Sequence, residues 1–182
     1  MRINKENTIG LVIDMQENLV NGLYNKDTAI NGCLQVINGL KILGVPIMVT
    51  QQYTEENGGT IPEINQSIGN FSYIEKKQFS CYREPSFIRV LNRVGKRNVV
   101  MIGAEAHISV LQTTLDLMYN NFNPVIIIDA IGASTEDNKK TAFWRMRDIG
   151  AVMSTTESIL FELCREAGTS EYEEIIKLVN RK

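Results

Sequence analysis

Histidine occurs once in 182 residues, cysteine three times and proline four times, and the formal net charge is only −2. Each scarcity closes a class of function. A single imidazole, His107, cannot build the multi-histidine sites that hold zinc or iron, so no metal is expected. Cys33, Cys81 and Cys164 are odd in number and far apart in sequence. That argues against a disulfide framework or a clustered thiolate site and points to a reducing, cytoplasmic location. A charge near zero, with basic residues scattered, gives no general attraction to nucleic acid or an anionic membrane. No apolar run approaches the roughly 20 residues of a membrane span, and the opening "MRINKENTIG" lacks a signal peptide's apolar core. Neither a GxGxxG nor a P-loop is present ("ENGGT" is neither), so no nucleotide cofactor is expected.

What remains reads as an ordinary globular chain: 43% apolar and 22% charged residues, with no repeat, low-complexity tract or linker. One domain over residues 1–182 is expected. Short β-branched runs alternate with longer helical patterns. "TIGLVID", "VPIMVTQQ", "SYIEKK", "NVVMIG", "PVIIIDA" and "AVMST" read as strands. The helical patterns are "TAINGCLQVINGLKILG", "SFIRVLNRVG", "HISVLQTTLDLMYNN", "DNKKTAFWRMRDIG" and a closing "SEYEEIIKLVNR". Asp27 or Thr28 is the expected cap of the first, with Gly44 as its terminator. Strands buried on both faces and joined by helices imply a three-layer α/β/α sandwich around a mostly parallel, roughly six-stranded sheet. Residues 51–72 are the longest stretch without periodicity, and a mobile loop is expected there.

Ligands in such sheets bind beyond the carboxyl ends of the strands, where the strand order reverses. That rule selects Asp14, Gln51 and Gln52, Lys76, the segment from Gly103 to Ser109, and Asp129. Asp14 can be a mere turn cap and Lys76 a solvated charge. As an ion pair at the sheet edge they would hold a carboxylate near substrate. "GAEAHIS" turns a strand into a helix, so its N–H groups could bind an anion; the plainer alternative is a tight turn using Gly103, with Ser109 as an ordinary first-turn residue.

These residues together resemble the isochorismatase-like, or cysteine hydrolase, superfamily over nearly the whole chain. "LVIDMQENL" is similar to its first-strand aspartate motif and "EKKQFSCY" to its lysine segment. "GAEAHISVLQTTLDL" resembles its nucleophile motif, and "VIIIDAIGAST" the strand that follows. "VTQQYTEENGGTIPEI" and "RMRDIGAVMSTTESILFELC" are closest to the isochorismatase-domain-containing subgroup. The resemblance implies the Rossmann-like isochorismatase fold and hydrolysis of a small amide, carbamoyl or vinyl ether substrate. It puts the catalytic residues at Asp14, Lys76 (Lys77 if the alignment slips) and Ser109. It implies a cis peptide between Ala104 and Glu105, an oxyanion site from the N–H groups of Glu105 and Ser109, and substrate lined by Gln51, Gln52 and Phe79. A homo-oligomer, dimer or larger, is also implied, which the apolar "FWRMRDIGAVM" supports.

Serine stands where that family carries its cysteine. Its hydroxyl is several pKa units less acidic than a thiol, at about 1.36 kcal/mol per unit. His107, two residues away and about 200° around a helix, should not face Ser109. Cys81 is read as a small buried residue rather than a substitute thiol. Acid-catalysed hydrolysis, as in isochorismatases that lack the cysteine, needs only Asp14 and Lys76. The alternative from another class is a catalytically silent relative that binds a ligand or acts through an oligomeric surface.

Overall fold

The computed structural model describes residues 2–179. Six strands form one sheet: β1 (Thr8–Ile13), β2 (Ile47–Gln52), β3 (Tyr73–Lys76), β4 (Asn98–Gly103), β5 (Asn123–Ile131) and β6 (Val152–Ser154). Their order is β3-β2-β1-β4-β5-β6, and every pairing is parallel. The chain first winds outward through β2 and β3, then returns to the other side of β1. The order therefore reverses between β1 and β4, and a crevice opens beyond their carboxyl ends.

Alternation within the strands explains the three layers. Ile9, Leu11 and Ile13 of β1, with Val99 and Met101 of β4, enter one core; Val12, Val100 and Ile102 enter the other. The first core is closed by α5 (Pro85–Val94), α6 (Leu111–Tyr119) and α7 (Glu136–Asp148), through Phe87, Leu91, Leu117 and Met146. The second is closed by α2 (Lys26–Ile42), α4 (Pro62–Ile68), α8 (Thr156–Cys164) and α9 (Ser170–Leu178). Fully burying a side chain of this size stabilises by about 1.5–3 kcal/mol. Helix α2 lies tight against the sheet because Gly32 has no side chain: a Cβ there would stand 2.4 Å from the Asp129 carbonyl oxygen.

Some expectations need correction. Residues 51–72 are not an irregular loop. Strand β2 runs to Gln52, α3 (Thr54–Asn57) and α4 follow, and Thr60 bridges to Gln16. The buried Gln16 side chain holds the segment, donating to the carbonyls of Gln52 (3.1 Å) and Gly58 (2.7 Å) and accepting from the Gln52 N–H (2.6 Å). These bonds reach 36 and 42 residues along the chain, so no local pattern announces them. Helix α2 begins before Asp27 and Thr28. Asn25 takes the cap position, while its amide grips the loop after β5 at Ile131 and Ala133. Besides α3 and α4, two further helices, α1 (Glu17–Asn21) and α8, go beyond the sequence patterns. For α8 the signal was present: Thr155 caps Ser158, and Ile159, Leu160 and Leu163 follow at helical spacing. The closing helix is observed to Leu178, and the expected end at 180–181 lies outside the described residues. Among the described residues no helix is long and apolar enough to cross a membrane.

Candidate active site

Asp14 is the first residue after β1, and its φ of 48° lies in the left-handed region. Aspartate enters that region more readily than most side chains. The bend carries the carboxylate out of the strand direction and into the crevice. Beside it, β4 approaches β1 backbone to backbone. Gly103 has φ 118°, and a Cβ there would meet the Ile13 carbonyl oxygen at 2.1 Å, so only glycine fits. The Ala104 N–H donates to that same oxygen at 2.9 Å. The turn from Gly103 to Ser109 is thus fixed alongside Asp14. The Ala104–Glu105 peptide is cis. A π-type turn, Ala106–Val110, then leads into α6.

Lys76 ends β3, two strands away from β1, and its length lets it reach across the end of β2. It is fully buried, and its Nζ lies 2.6 Å from Asp14 Oδ2. The ammonium also meets the carbonyls of Phe79 (3.1 Å) and Gln78 (3.3 Å) and the Ser109 hydroxyl (3.4 Å). On the other carboxylate oxygen, the Thr50 hydroxyl donates to Oδ1 at 2.7 Å. Burial pushes the Asp14 carboxyl above the ordinary carboxylate range, while the Lys76 ammonium and hydrogen bonds from Thr50 and Ser109 pull it back. The Ser109 hydroxyl in turn donates to the Gln52 amide oxygen at 3.4 Å.

Ser109 and Gln52 open onto a cavity of about 250 Å³ lined also by Leu19, Asn57, Phe79, Glu105 and Ile108, with Asp14 and Lys76 outside its lining. A larger groove of about 430 Å³ on the far side of Phe79 contains the Arg83–Asp116 pair and none of the Asp14–Lys76 group. Gln52 and Phe79 line the smaller cavity; Gln51 does not. Neighbouring strand residues point to opposite faces, and Gln51 turns to Thr60 (2.9 Å) and Thr54 (2.9 Å), tying down the following segment.

The remaining candidates are engaged elsewhere. Lys77 is exposed, with its ammonium 5.0 Å above the Tyr53 ring. His107 turns to Ser134, 3.4 Å from its Nε2. Cys81 is buried behind Thr50, 3.8 Å from its hydroxyl, and its thiol is pushed up to about 11 by burial and by the Asp14 charge. Asp129 accepts from the N–H (2.8 Å) and hydroxyl (3.0 Å) of Thr156 at the start of α8. Thr50 escaped the sequence reading, although it shares a strand face with Gln52. Asn57 and Leu19 come from segments with no local signal. Among the described residues no three His, Cys, Asp or Glu side chains converge as a metal-binding group.

Comparison with known proteins follows the same outline. Residues 8–158 match the isochorismatase domain. The secreted isochorismatase effector Isc1 of Phytophthora sojae is 32% identical over 183 residues, covering 98% of this chain and 87% of that protein. Mouse isochorismatase domain-containing protein 2A is 28% identical over 179 residues, covering 98% and 85%. Among solved structures, the MAR1 ribonuclease of Caenorhabditis elegans superposes with a TM-score of 0.92 at 29% identity, covering 100% of this chain and 94% of that one.

Proposed function

The chain belongs to the isochorismatase family, and from that premise we propose a single-domain, small-molecule hydrolase that works by acid–base chemistry at Asp14. The observation that carries the reading is the buried Asp14–Lys76 pair, whose ammonium lies 3.4 Å from the hydroxyl of Ser109 on the wall of a substrate-sized cavity. A carboxyl that burial raises above its ordinary range is suited to giving a proton to a substrate and taking one back from water. Lys76 fixes the carboxylate and carries the compensating charge; its carbonyl contacts keep the ammonium in place. Water is the nucleophile. Ser109 keeps the nucleophile's position, but the acidity gap between hydroxyl and thiol costs several kcal/mol, at about 1.36 kcal/mol per unit, which a carboxylate base does not offset. The N–H groups of Glu105 and Ser109, at the start of the helix, are assigned to a developing oxyanion.

The substrate class is an amide, a carbamoyl amine or a vinyl ether. For a vinyl ether, Asp14 protonates the terminal carbon, water adds to the resulting oxocarbenium carbon, and the hemiketal divides into a carbonyl compound and an alcohol. The nematode relative is described as a ribonuclease. A phosphodiester would bring negative charge to a cavity whose nearest ammonium is already engaged by Asp14, so RNA enters the test as a competing substrate. Turnover of the three small-molecule classes and of an RNA oligonucleotide is measured with the native chain, Asp14→Asn, Ser109→Ala and Ser109→Cys. Asp14→Asn should abolish the native activity, Ser109→Ala should change it little, and Ser109→Cys should add amide or ester hydrolysis and sensitivity to alkylation. Equal loss in Asp14→Asn and Ser109→Ala would make Ser109 a working nucleophile. A chain inert to every class, in all four forms, would be a silent binding protein.

A homo-oligomer, dimer or larger, belongs to the same proposal. Trp144 (56% exposed) and Ile149 on and after α7, with Tyr119 (87%) at the end of α6, present large apolar groups to solvent. Light scattering that gives a monomer at micromolar concentration would overturn it. A cytoplasmic location rests on three cysteines that are free and buried, and cell fractionation tests it.

A further inference from the structure

The cavity walls carry an imbalance of charge. Behind its Ser109 wall lie Lys76 and Asp14, which neutralise each other at 2.6 Å and do not line the cavity. Of the seven lining residues, six are uncharged, and the seventh is Glu105. Glu105 is partly buried, and its carboxylate has no hydrogen bond or ion pair among the described residues. Three other acidic groups near the site have partners: Asp14 pairs with Lys76, Asp116 with Arg83, and Glu75 with the Thr54 N–H and hydroxyl. The nearest exposed basic groups are directed away, Lys77 onto Tyr53 and Arg83 into the neighbouring groove. The cavity therefore has a formal charge of −1 and no free cation to answer it.

The geometry points to Glu105 as a specificity residue that selects a substrate carrying a cationic group, such as an ammonium, and rejects anionic ones. A carboxylate without a protein partner on a cavity wall attracts a counter-charge. The apolar walls, Leu19, Ile108 and the Phe79 ring, suit a short carbon chain between that ammonium and the reacting group at Ser109. A substrate bearing carboxylates would be repelled by Glu105 and would find Lys76 already engaged. This narrows the function proposed above to cationic members of its substrate classes, and it rests on substrate occupying this cavity.

Binding, rather than turnover, separates the two ideas. Three amides of matched length serve as probes: 4-aminobutanamide (cationic), pentanamide (neutral) and succinamate (anionic). Their dissociation constants are measured by NMR titration on the full chain, on Glu105→Gln and on Asp129→Asn. The native chain should bind in the order cationic, neutral, anionic, with about a fivefold step between neighbours, as suits a partly solvated ion pair. Glu105→Gln should remove the cationic advantage while keeping pentanamide binding measurable. Asp129→Asn, outside the cavity, should preserve the order. Raising the salt to about 1 M, where the screening length falls to about 3 Å, should compress the series. Succinamate binding as tightly as 4-aminobutanamide, an order unchanged by Glu105→Gln, or no detectable binding of the cationic probe would each overturn the assignment. Ordered binding without turnover of any substrate would instead sink the hydrolase reading and leave the charge selection standing.

Discussion

Two aspartates sit at the carboxyl ends of apolar strands, Asp14 after β1 and Asp129 near the end of β5. In sequence they look alike: "LVID" and "IIID". Their surroundings have made them different groups. Asp14 is sealed from water and faces an ammonium at 2.6 Å, itself in contact with the Ser109 hydroxyl, and a hydroxyl at 2.7 Å. Asp129 is only partly buried and holds the first N–H of α8. The difference follows from the topology. Strand order reverses beside β1, where no crossover helix covers the strand ends. Beside β5 the chain goes on to β6 and returns at once as α8, whose open N-terminus needs an acceptor. On the function proposed above, a carboxylate at a strand end becomes reactive or structural according to what the next crossover leaves above it.

The sharpest way to break the contrast is to remove one half of the buried pair. Lys76→Met leaves Asp14 buried without its cation and should cost about 3–5 kcal/mol in denaturant unfolding. The double change Asp14→Asn, Lys76→Met should recover most of that stability and none of the activity. A double variant no more stable than Lys76→Met would mean that the pair is held by packing rather than charge.

Next in size is the catalytic contrast. Asp14→Asn should lower kcat by roughly 10²–10⁴, the range of a lost general acid or base, whereas Asp129→Ala should leave kcat within about twofold by the same assay. Measurable loss in Asp129→Ala would tie the two strand ends together.

Acidity sharpens the comparison further. Because burial raises the Asp14 carboxyl in the folded chain, folding retains a proton there that the unfolded chain has lost. That contribution is fully present below the ordinary carboxylate range and disappears as pH rises through the raised value. Lys76→Met removes the cation that moderates the shift, so its destabilisation should be small near pH 4 and grow toward pH 7. A deficit independent of pH, followed by urea unfolding across that interval, would show that removing Lys76 leaves the proton affinity of Asp14 unchanged.

The smallest effect belongs to the structural carboxylate. Asp129→Ala removes an acceptor from the first turn of α8 and should cost about 0.5–2 kcal/mol, as lost helix caps do. Thermal unfolding measures it, and hydrogen exchange should locate the loss in α8 rather than in the 103–109 turn.

Much of this architecture was legible in the chain. The strand runs and helical spacings gave the three layers, and the reversal rule gave the end of the sheet at which to look. Asp14, Lys76 and Ser109 were nameable because each sits at a strand end or helix start that local patterns mark. Gln51 and Gln52 show the boundary. Period-two alternation says that one of them faces the cavity, and it takes the placement of β3 and α3 to say which. The segment after β2 looked structureless because its organiser, Gln16, belongs to a different part of the chain.

By itself, the sequence determined the local periods and therefore the elements, and it required glycine at position 103, where two strands meet backbone to backbone. It also supplied the single histidine and the serine that limit the available chemistry. Only the tertiary structure decided which of two similar aspartates is buried against a lysine, and which carboxylate, Glu105, is left without a partner on the cavity wall. Charge and burial are properties of neighbours brought together from distant positions, by strand order and crossovers, and no window along the chain contains those neighbours.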